Sequence, residues 1–442
     1  MNKSTIQTLI DKVIGKKGLI RVPSWWMRKV LMQIADWVQE GNDANGEKIV
    51  KVKEEADAKI ITLDNSTKAA LIELKKSLHT QKCFVVKTGA NAGYVVVDGV
   101  TQEVPANTQK IVTYVNTFGF YNWSTTNSWL IFIGLTVADA SSITDMSGMF
   151  YSCSSLTSLD LTGLDTSAVT SMASMFQGCS SLTSLDLTGL DTSAVTSMDS
   201  MFYSCSGLTS LNLSGFNTSA VTSMASMFQG CEKLTSLDLS GLDTSAVTSM
   251  SSMFAYCRGL TSLNLSGFNT SAVTNMDSMF YSCSGLTSLN LSGFNTSAVT
   301  SMLSMFAYCS GLTSLDLTGL DTSAVTSMDS MFYRCSGLTS LDLSGFDTSA
   351  VTSMDYMFSD CSSLTSLILG PNFFKAPNVT SIDFSYCSKW TNNTVVTSLV
   401  TNSYDRATAG LKTMTLKLST NTKAALTDEQ KAAITAKGYT IA

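Results

Sequence analysis

The chain has 442 residues, room for two or three folding units. Its 44 % hydrophobic content supports real cores, and four prolines argue against long disordered linkers. The net charge of −6 is uneven: residues 141–387 hold 18 Asp or Glu against 4 Lys or Arg, while residues 1–140 hold 17 basic and 13 acidic groups and the last 55 hold 7 and 3. That acidic middle repels phosphate and argues against nucleic-acid binding, and a single histidine, His79, leaves Cys/His zinc sites and His-based triads without material.

In chain order, MNKSTIQTLIDK lacks the apolar core of a secretory signal, and the longest apolar run, Trp129 to Val137, is about half of what a bilayer crossing needs. The expectation is a chain with no export signal or membrane anchor, made in the cytoplasm or released by lysis. Pro23-Ser24 opens a predicted amphipathic helix with Trp26, Val30, Ile34, Trp37 and Val38 on one face. A second helix is predicted from Ile49 to His79, with Ile49, Val52, Ala56, Ile60, Leu63, Thr67, Leu71, Leu74 and Leu78 at 3-4-4 spacing. It either packs on its own domain or forms an oligomeric stalk, so residues 1–80 read as a helical anchor with Trp26, Trp37, Ile49, Ile60, Leu63, Leu71 and Leu74 as its contact residues. Residues 81–140 read as a small β-rich module: Cys83-Phe-Val-Val, then Tyr94 to Val97 with Asp98-Gly99 as a hairpin turn, then Ile111 to Val115 and Trp129 to Ile133.

Residues 141–390 carry the strongest signal. Cys153, Cys179, Cys205, Cys231, Cys257, Cys283, Cys309, Cys335, Cys361 and Cys387 stand 26 residues apart, within a unit V-T-S-M-x-x-M-F-x-x-C-x-x-L-T-S-L-D/N-L-S/T-G-F/L-D/N-T-S-A. Val169, Met172, Met175, Phe176 and Cys179 recur at three- and four-residue spacing, which predicts a helical or 3₁₀ arm. Leu185-Asp186-Leu187 alternates as a strand does, Gly189 suits a turn, and Asp191, Thr192 and Ser193 suit the N-cap of the next arm. The predicted fold class is an α/β repeat solenoid, leucine-rich-repeat-like, preceded by a helical stalk and a small β module. Residues 391–442 read as a C-terminal cap, with a capped helix after Leu426-Thr-Asp-Glu-Gln-Lys ending at Lys437-Gly438 and a last strand at Tyr439-Thr-Ile.

This unit resembles the BspA-like leucine-rich repeats of bacterial surface proteins, over a little more than half the chain. It departs from the ordinary leucine-rich pattern where Leu190, Phe216, Leu242 and Phe268 replace the usual buried Asn, so an apolar column is expected in place of an asparagine ladder. VPSWWMRKVLMQIADWVQEG is similar to N-terminal pieces of virion fibre and tail proteins from phages of gut Bacteroidales, including crAss-like phages. LTDEQKAAITAKGYTIA resembles the C-terminal cap of BspA-like proteins from the same bacteria and their prophages. These likenesses imply an N-terminus attached to a particle and a repeat surface displayed outward.

The cysteine column reads as buried small hydrophobes, because the count of 11 fits no disulfide framework and stacked side chains point the same way. Two Asp/Asn columns recur, one through Asp186, Asp238 and Asp316 on the strand and one through Asp191 past the glycine; both read as surface ladder and caps, with cation or sugar binding as the alternative. A glycosidase needs one asymmetric carboxylate pair, and Glu232 is the only Glu in the repeats. Variation concentrates in the two positions before each Cys, where Tyr151, Tyr203, Tyr256, Tyr281, Tyr308 and Tyr333 are expected to be exposed and to form an aromatic strip for a partner, against tolerated drift as the alternative. The function expected is a non-enzymatic phage virion fibre or appendage that adheres to the host surface. It would be a homo-oligomer located in the virion, with other virion proteins at its N-terminus and a host glycan or protein at the repeats, and with no cofactor, metal, nucleic acid or membrane insertion. A bacterial BspA-like surface adhesin is the alternative, and a polysaccharide depolymerase on a solenoid scaffold is the third.

Overall fold

The computed structural model describes residues 144–442, apart from 162, 163, 165 and 392, and the backbone of nine strands between residues 38 and 136. Strands β1 (Val38–Asn42), β2 (Lys48–Val52) and β3 (Lys59–Ile61) form an antiparallel sheet in that order. The helix expected from Ile49 is therefore not formed there: Ile49 and Ile60 lie in strands, paired Gly41 with Ile49 and Lys51 with Ile60. Ile49-Val50-Lys51-Val52 and Ile60-Ile61 are β-branched runs, stiff at χ1 and better suited to a pleated surface than to a helix. Val38, placed on the first helix, opens β1. Trp26, Trp37, Leu63, Leu71 and Leu74 lie outside the described residues.

Between residues 83 and 136 come β4 (Cys83–Thr88), β5 (Gly93–Val97), β6 (Val100–Val104), β7 (Gln109–Thr113), β8 (Phe118–Phe120) and β9 (Leu130–Thr136). Val97 pairs with Val100 across Asp98-Gly99, the two-residue connection that this dipeptide favours. β9 also pairs in parallel with β10 (Ser158–Asp160), the strand of the first repeat, so the open edge of the array has a partner on this side.

The repeats stack unit on unit through parallel bridges in 26-residue steps, from Asp145 with Ser171 to Ser327 with Ser353. A second set of short strands carries the L-x-L motif: β11 (Ser288–Asn290) on β12 (Ser314–Asp316), and β13 (Ser340–Leu343) on β14 (Ser366–Leu369). Their burial alternates as Leu289 and Leu315 turn inward and their neighbours outward.

The predicted helical arm is instead a run of consecutive β-turns. Within one unit Met175 N donates to Met172 O, Gln177 N to Ser174 O and Cys179 N to Phe176 O, each three residues back. The amides between them point the other way, with Met172 N donating to Ser197 O, Ser174 N to Asp199 O and Phe176 N to Met201 O of the next unit. A helix would have used all these donors internally. Positive φ at Ser174 (57°) and at Gly178 (77°), the third residue of a turn as in type II, breaks helical continuation. Three-residue apolar spacing thus arises from turns, whose ends Met172, Met175, Phe176 and Cys179 are all fully buried.

Those inward residues form columns. Nine phenylalanines from Phe150 to Phe358 stack with centroids 5.5 to 5.9 Å apart. Spacing wider than the ~4.8 Å of paired strands fits offset rings. Leu190, Phe216, Leu242 and Phe268 are buried, so an apolar column fills the place of the asparagine ladder. Thr192 is buried beside them; its hydroxyl donates to Asn217 O at 2.9 Å and accepts from Asn217 N at 2.8 Å, tying each unit to the next.

Beyond the last regular unit, Pro371–Phe374 forms a short 3₁₀ turn, and β15 (Ser381–Phe384), β16 (Met414–Leu418) and β17 (Tyr439–Ile441) make a parallel sheet. Helix α1 (Asn393–Val396) runs on into a π-helical turn at Thr397–Thr401, followed later by α2 (Thr420–Ala424) and α3 (Asp428–Ala436). Thr427 and Gln430 form a capping box at the start of α3. Ser398 Oγ accepts from Leu369 N and donates to Leu367 O, occupying the free edge of β14. Arg406, fully buried, donates to the carbonyls of Phe374, Ala376, Val379 and Lys412 and so fixes the irregular turn beneath the cap.

Candidate binding surface

The most reactive side chains of the array, its cysteines, are turned into the core. All ten array cysteines are free and buried. From Cys179 to Cys361 each thiol donates to the Phe carbonyl of the preceding unit at 3.0 to 3.2 Å, as Cys283 Sγ does to Phe254 O. Burial pushes Cys231, Cys309 and Cys361 up to about 12 and Cys179, Cys205, Cys257, Cys283, Cys335 and Cys387 well above the ordinary thiol value. These are protonated donors to backbone, a role beyond the small hydrophobe that the sequence pattern gave them. Among the described residues no three of His, Cys, Asp or Glu gather to hold a metal ion.

Asp186, Asp238 and Asp316 are exposed, and their carboxylates are turned onto their own chain. Asp186 Oδ1 accepts from Thr188 N and Oγ1 at 3.0 and 2.7 Å, Asp316 Oδ1 from Thr318 N and Oγ1 at 3.0 and 2.6 Å, and Asp238 Oδ1 from Ser240 N at 3.0 Å. Those bonds hold all three below the ordinary Asp range. Asp191 caps the next turn in the same way through Ser193 N, although what it caps is a β-turn rather than a helix. Asp316 also lines a shallow groove of about 530 Å³ with Asn290, Asp342 and the outward serines of β11 to β14.

The positions before the cysteines lie elsewhere on the unit. All six tyrosines are half-buried rather than exposed, and Ala255, Ala307, Ser282 and Ser359 at these positions are buried. The reason is the backbone: the residue just before Cys is left-handed, with φ 54 to 62° at Ser204, Tyr256, Ser282, Tyr308 and Arg334, and this turns the pair along the surface. A bulky residue in that region costs on the order of 1 kcal/mol. Tyr256 and Tyr308 occupy it in alternate units, while Tyr281 and Tyr333 stand one residue earlier in theirs. The offset brings the four rings into one ladder with centroids 5.2 Å apart at each step. Burial and the flanking phenols of Tyr256 and Tyr308 push the Tyr281 hydroxyl up to about 12. Arg258 lies 5.4 Å over Tyr256, and Arg334 lies 5.4 and 5.3 Å over Tyr308 and Tyr333. Each arginine is ion-paired with a neighbouring unit, Arg258 with Glu232 at 3.2 Å and Arg334 with Asp360 at 3.1 Å. Tyr151 and Tyr203 are separated from each other and from the ladder by Gln177-Gly178 and Gln229-Gly230. The groove there, about 480 Å³, shares no lining residue with the one on the strand side.

A family model described as "Mycoplasma protein of unknown function, DUF285" matches residues 120–235, 208–314 and 283–398, together more than half of the chain. The chain belongs to the DUF285 family. Its three overlapping matches follow the stacked units, in agreement with the BspA-like character of the 26-residue repeat. They begin at residue 120, so the DUF285 assignment does not reach the N-terminal segment likened to phage fibres. No curated protein and no solved structure matches the chain.

Two further features of the DUF285 repeats were not singled out from the sequence. Asp199, Asp277 and Asp329 each bridge to the next unit: Asp277 accepts from Ser301 Oγ at 2.5 Å and Leu303 N at 2.9 Å, and Asp329 from Ser353 Oγ and Asp355 N. The ion pairing of Glu232 with Arg258 and of Arg334 with Asp360 was not foreseen either, although Glu232 stands out as the one Glu of the repeats and Arg334 and Asp360 fall in the variable pair before Cys; a 26-residue offset separates each pair. No helix among the described residues is long and apolar enough to cross a membrane.

Proposed function

We propose that the stacked repeats form a solenoid whose function is adhesion: a rigid, non-enzymatic scaffold that presents a side-chain surface to a cell-surface ligand. The observation that carries this reading is where the units differ. The buried Val, Met, Phe, Cys and Leu positions repeat almost without change, the one at Leu190 and Phe216 alternating between Leu and Phe, whereas the wider substitutions gather at the pair before Cys, the residue after it and the residue after the first Met. Constancy inside and variation outside is what a binding scaffold needs, and a catalytic centre would instead show one unit unlike the rest.

In its finer form the reading is a phage virion fibre or appendage, oligomeric, attached to the particle through its N-terminal segment. Likeness of VPSWWMRKVLMQIADWVQEG to phage fibre proteins supports it. Membership in DUF285, a family described from Mycoplasma, favours the second form, a cell-encoded BspA-like surface adhesin. Mass spectrometry of purified virions separates them, since recovery of the chain in the particle is expected only of the first. Fluorescently labelled protein should bind cultured Bacteroidales cells and be competed by unlabelled protein. Absence of saturable binding would refute adhesion, and new reducing ends from host capsule would refute the non-enzymatic reading.

A further inference from the structure

The groove at the start of the Tyr surface is built by alternation. Units 151–152 and 203–204 carry Tyr-Ser before Cys, and units 177–178 and 229–230 carry Gln-Gly. Gly178 and Gly230 take the left-handed turn position, with φ 77 and 76°, and present no side chain there. Their faces lie close on Ser152 and Ser204, whose hydroxyls would stand 3.3 and 3.1 Å from an added Cβ. The two glycine units carry no side chain at that turn, and a groove runs across them from Ser152 past Tyr203 to Tyr256, lined also by Gln229, Glu232 and further serines.

Its chemistry is specific. About 480 Å³ is within the 300–1,000 Å³ typical of small-molecule clefts. Tyr203 offers a phenol ring, Tyr256 bounds the far end, and Gln229 and the serines offer both donors and acceptors. Glu232 is the only charged residue in the lining, and its Oε1 is paired to Arg258, which itself rests on the Tyr256 ring. Tyr256 is thus held from both sides, by the arginine and by Tyr281 at 5.2 Å. Pyranose rings have an apolar C–H face and a rim of hydroxyls, which matches aromatic faces beside carboxamide, carboxylate and hydroxyl groups. An anionic ligand would meet Glu232 and the acidic charge of the whole array.

We propose that this groove binds a short segment of a neutral glycan, with Tyr203 stacking on a sugar ring, the braced Tyr256 closing the far end of the groove, and Gln229 and Glu232 hydrogen-bonding hydroxyls. The proposal rests on the adhesion reading and names its ligand class. Saturation-transfer NMR of the full chain is measured against cellobiose, maltose, lactose, chitobiose and mannobiose, with sialyllactose as the anionic comparison. Transfer to at least one neutral disaccharide and none to sialyllactose is expected. The double variant Tyr203→Ala, Gln229→Ala should weaken it at least ten-fold with an unchanged thermal midpoint, and Tyr333→Ala, at the far end of the ladder, should leave it intact. Lack of transfer to every neutral sugar, or transfer retained by the double variant, overturns the proposal. Cell binding by the wild-type protein and the double variant to the same extent would also overturn it while leaving adhesion standing; cell binding by neither would sink the adhesion reading itself.

Discussion

Replacing Cys283 tests the claim that the cysteine column is a hydrogen-bonding element. Its thiol is fully buried and lies 3.0 Å from Phe254 O, which also accepts from Cys257 N at 3.1 Å. Cys283→Ala removes a sulfur, comparable to a methylene worth about 0.8 kcal/mol of burial, and one hydrogen bond worth about 0.5–1.5 kcal/mol. The expected cost is therefore about 1.5–2 kcal/mol. Cys283→Ser loses most of the apolar contribution but keeps a donor aimed at the same carbonyl, so it should cost less than Ala. Urea unfolding followed by far-UV circular dichroism compares the midpoints at constant m. A serine variant less stable than the alanine one would show that the thiol acts only as an apolar filler, and the hydrogen-bond account would be wrong.

Alkaline pH should expose the same column from another side. The folded chain raises the thiols from Cys179 to Cys387 above their ordinary value of 9.0, to about 12 at Cys231, Cys309 and Cys361, so the stabilisation is complete below pH 9 and is lost as pH rises from there toward 12. Thermal midpoints should stay level up to about pH 9 and then fall; at pH 8 the ten array thiols should resist maleimide until urea is added, and fast native labelling would contradict their burial. Thr244→Val, which leaves Asn269 N and O without their shared partner at 2.9 and 3.0 Å, should cost about 2–3 kcal/mol by the same urea assay. Gly285→Ser should also destabilise by about 1–3 kcal/mol, because an added Cβ would lie 2.3 Å from Arg258 O and 2.7 Å from Leu260 O. Ser155 and Ser181 occupy the corresponding place in the first units, so a neutral outcome would mean that the backbone there adapts freely.

The phenylalanine and leucine columns were legible in the sequence because a repeat of fixed length can bury its apolar positions only against copies of itself. The turn residues were legible in kind: Asp191 and Gly189, the latter at φ 91°, sit where such residues are needed. What misled was period. Met172, Met175, Phe176 and Cys179 have helical spacing, yet β-turns place their ends three residues apart as well, and only the direction of the intervening amides separates the two. At Ile49 and Ile60 an eleven-residue pattern outweighed β-branching in the sequence reading, and strands formed.

The sequence by itself determined the 26-residue step and the identity of the buried columns, because each depends on local pattern repeated many times. It did not determine the exposure of the variable pair before Cys, which the left-handed turns leave half-buried or buried. Tertiary structure decided what those positions do. Whether a cysteine is filler or donor depends on a carbonyl 29 residues away, as between Phe254 and Cys283. Whether Tyr281 stands alone or in a ladder depends on the left-handed turns that carry Tyr256 and Tyr308 toward it from adjacent units. Contacts across a stack join residues far apart in the chain, and the geometry of the backbone between them sets which side chains meet.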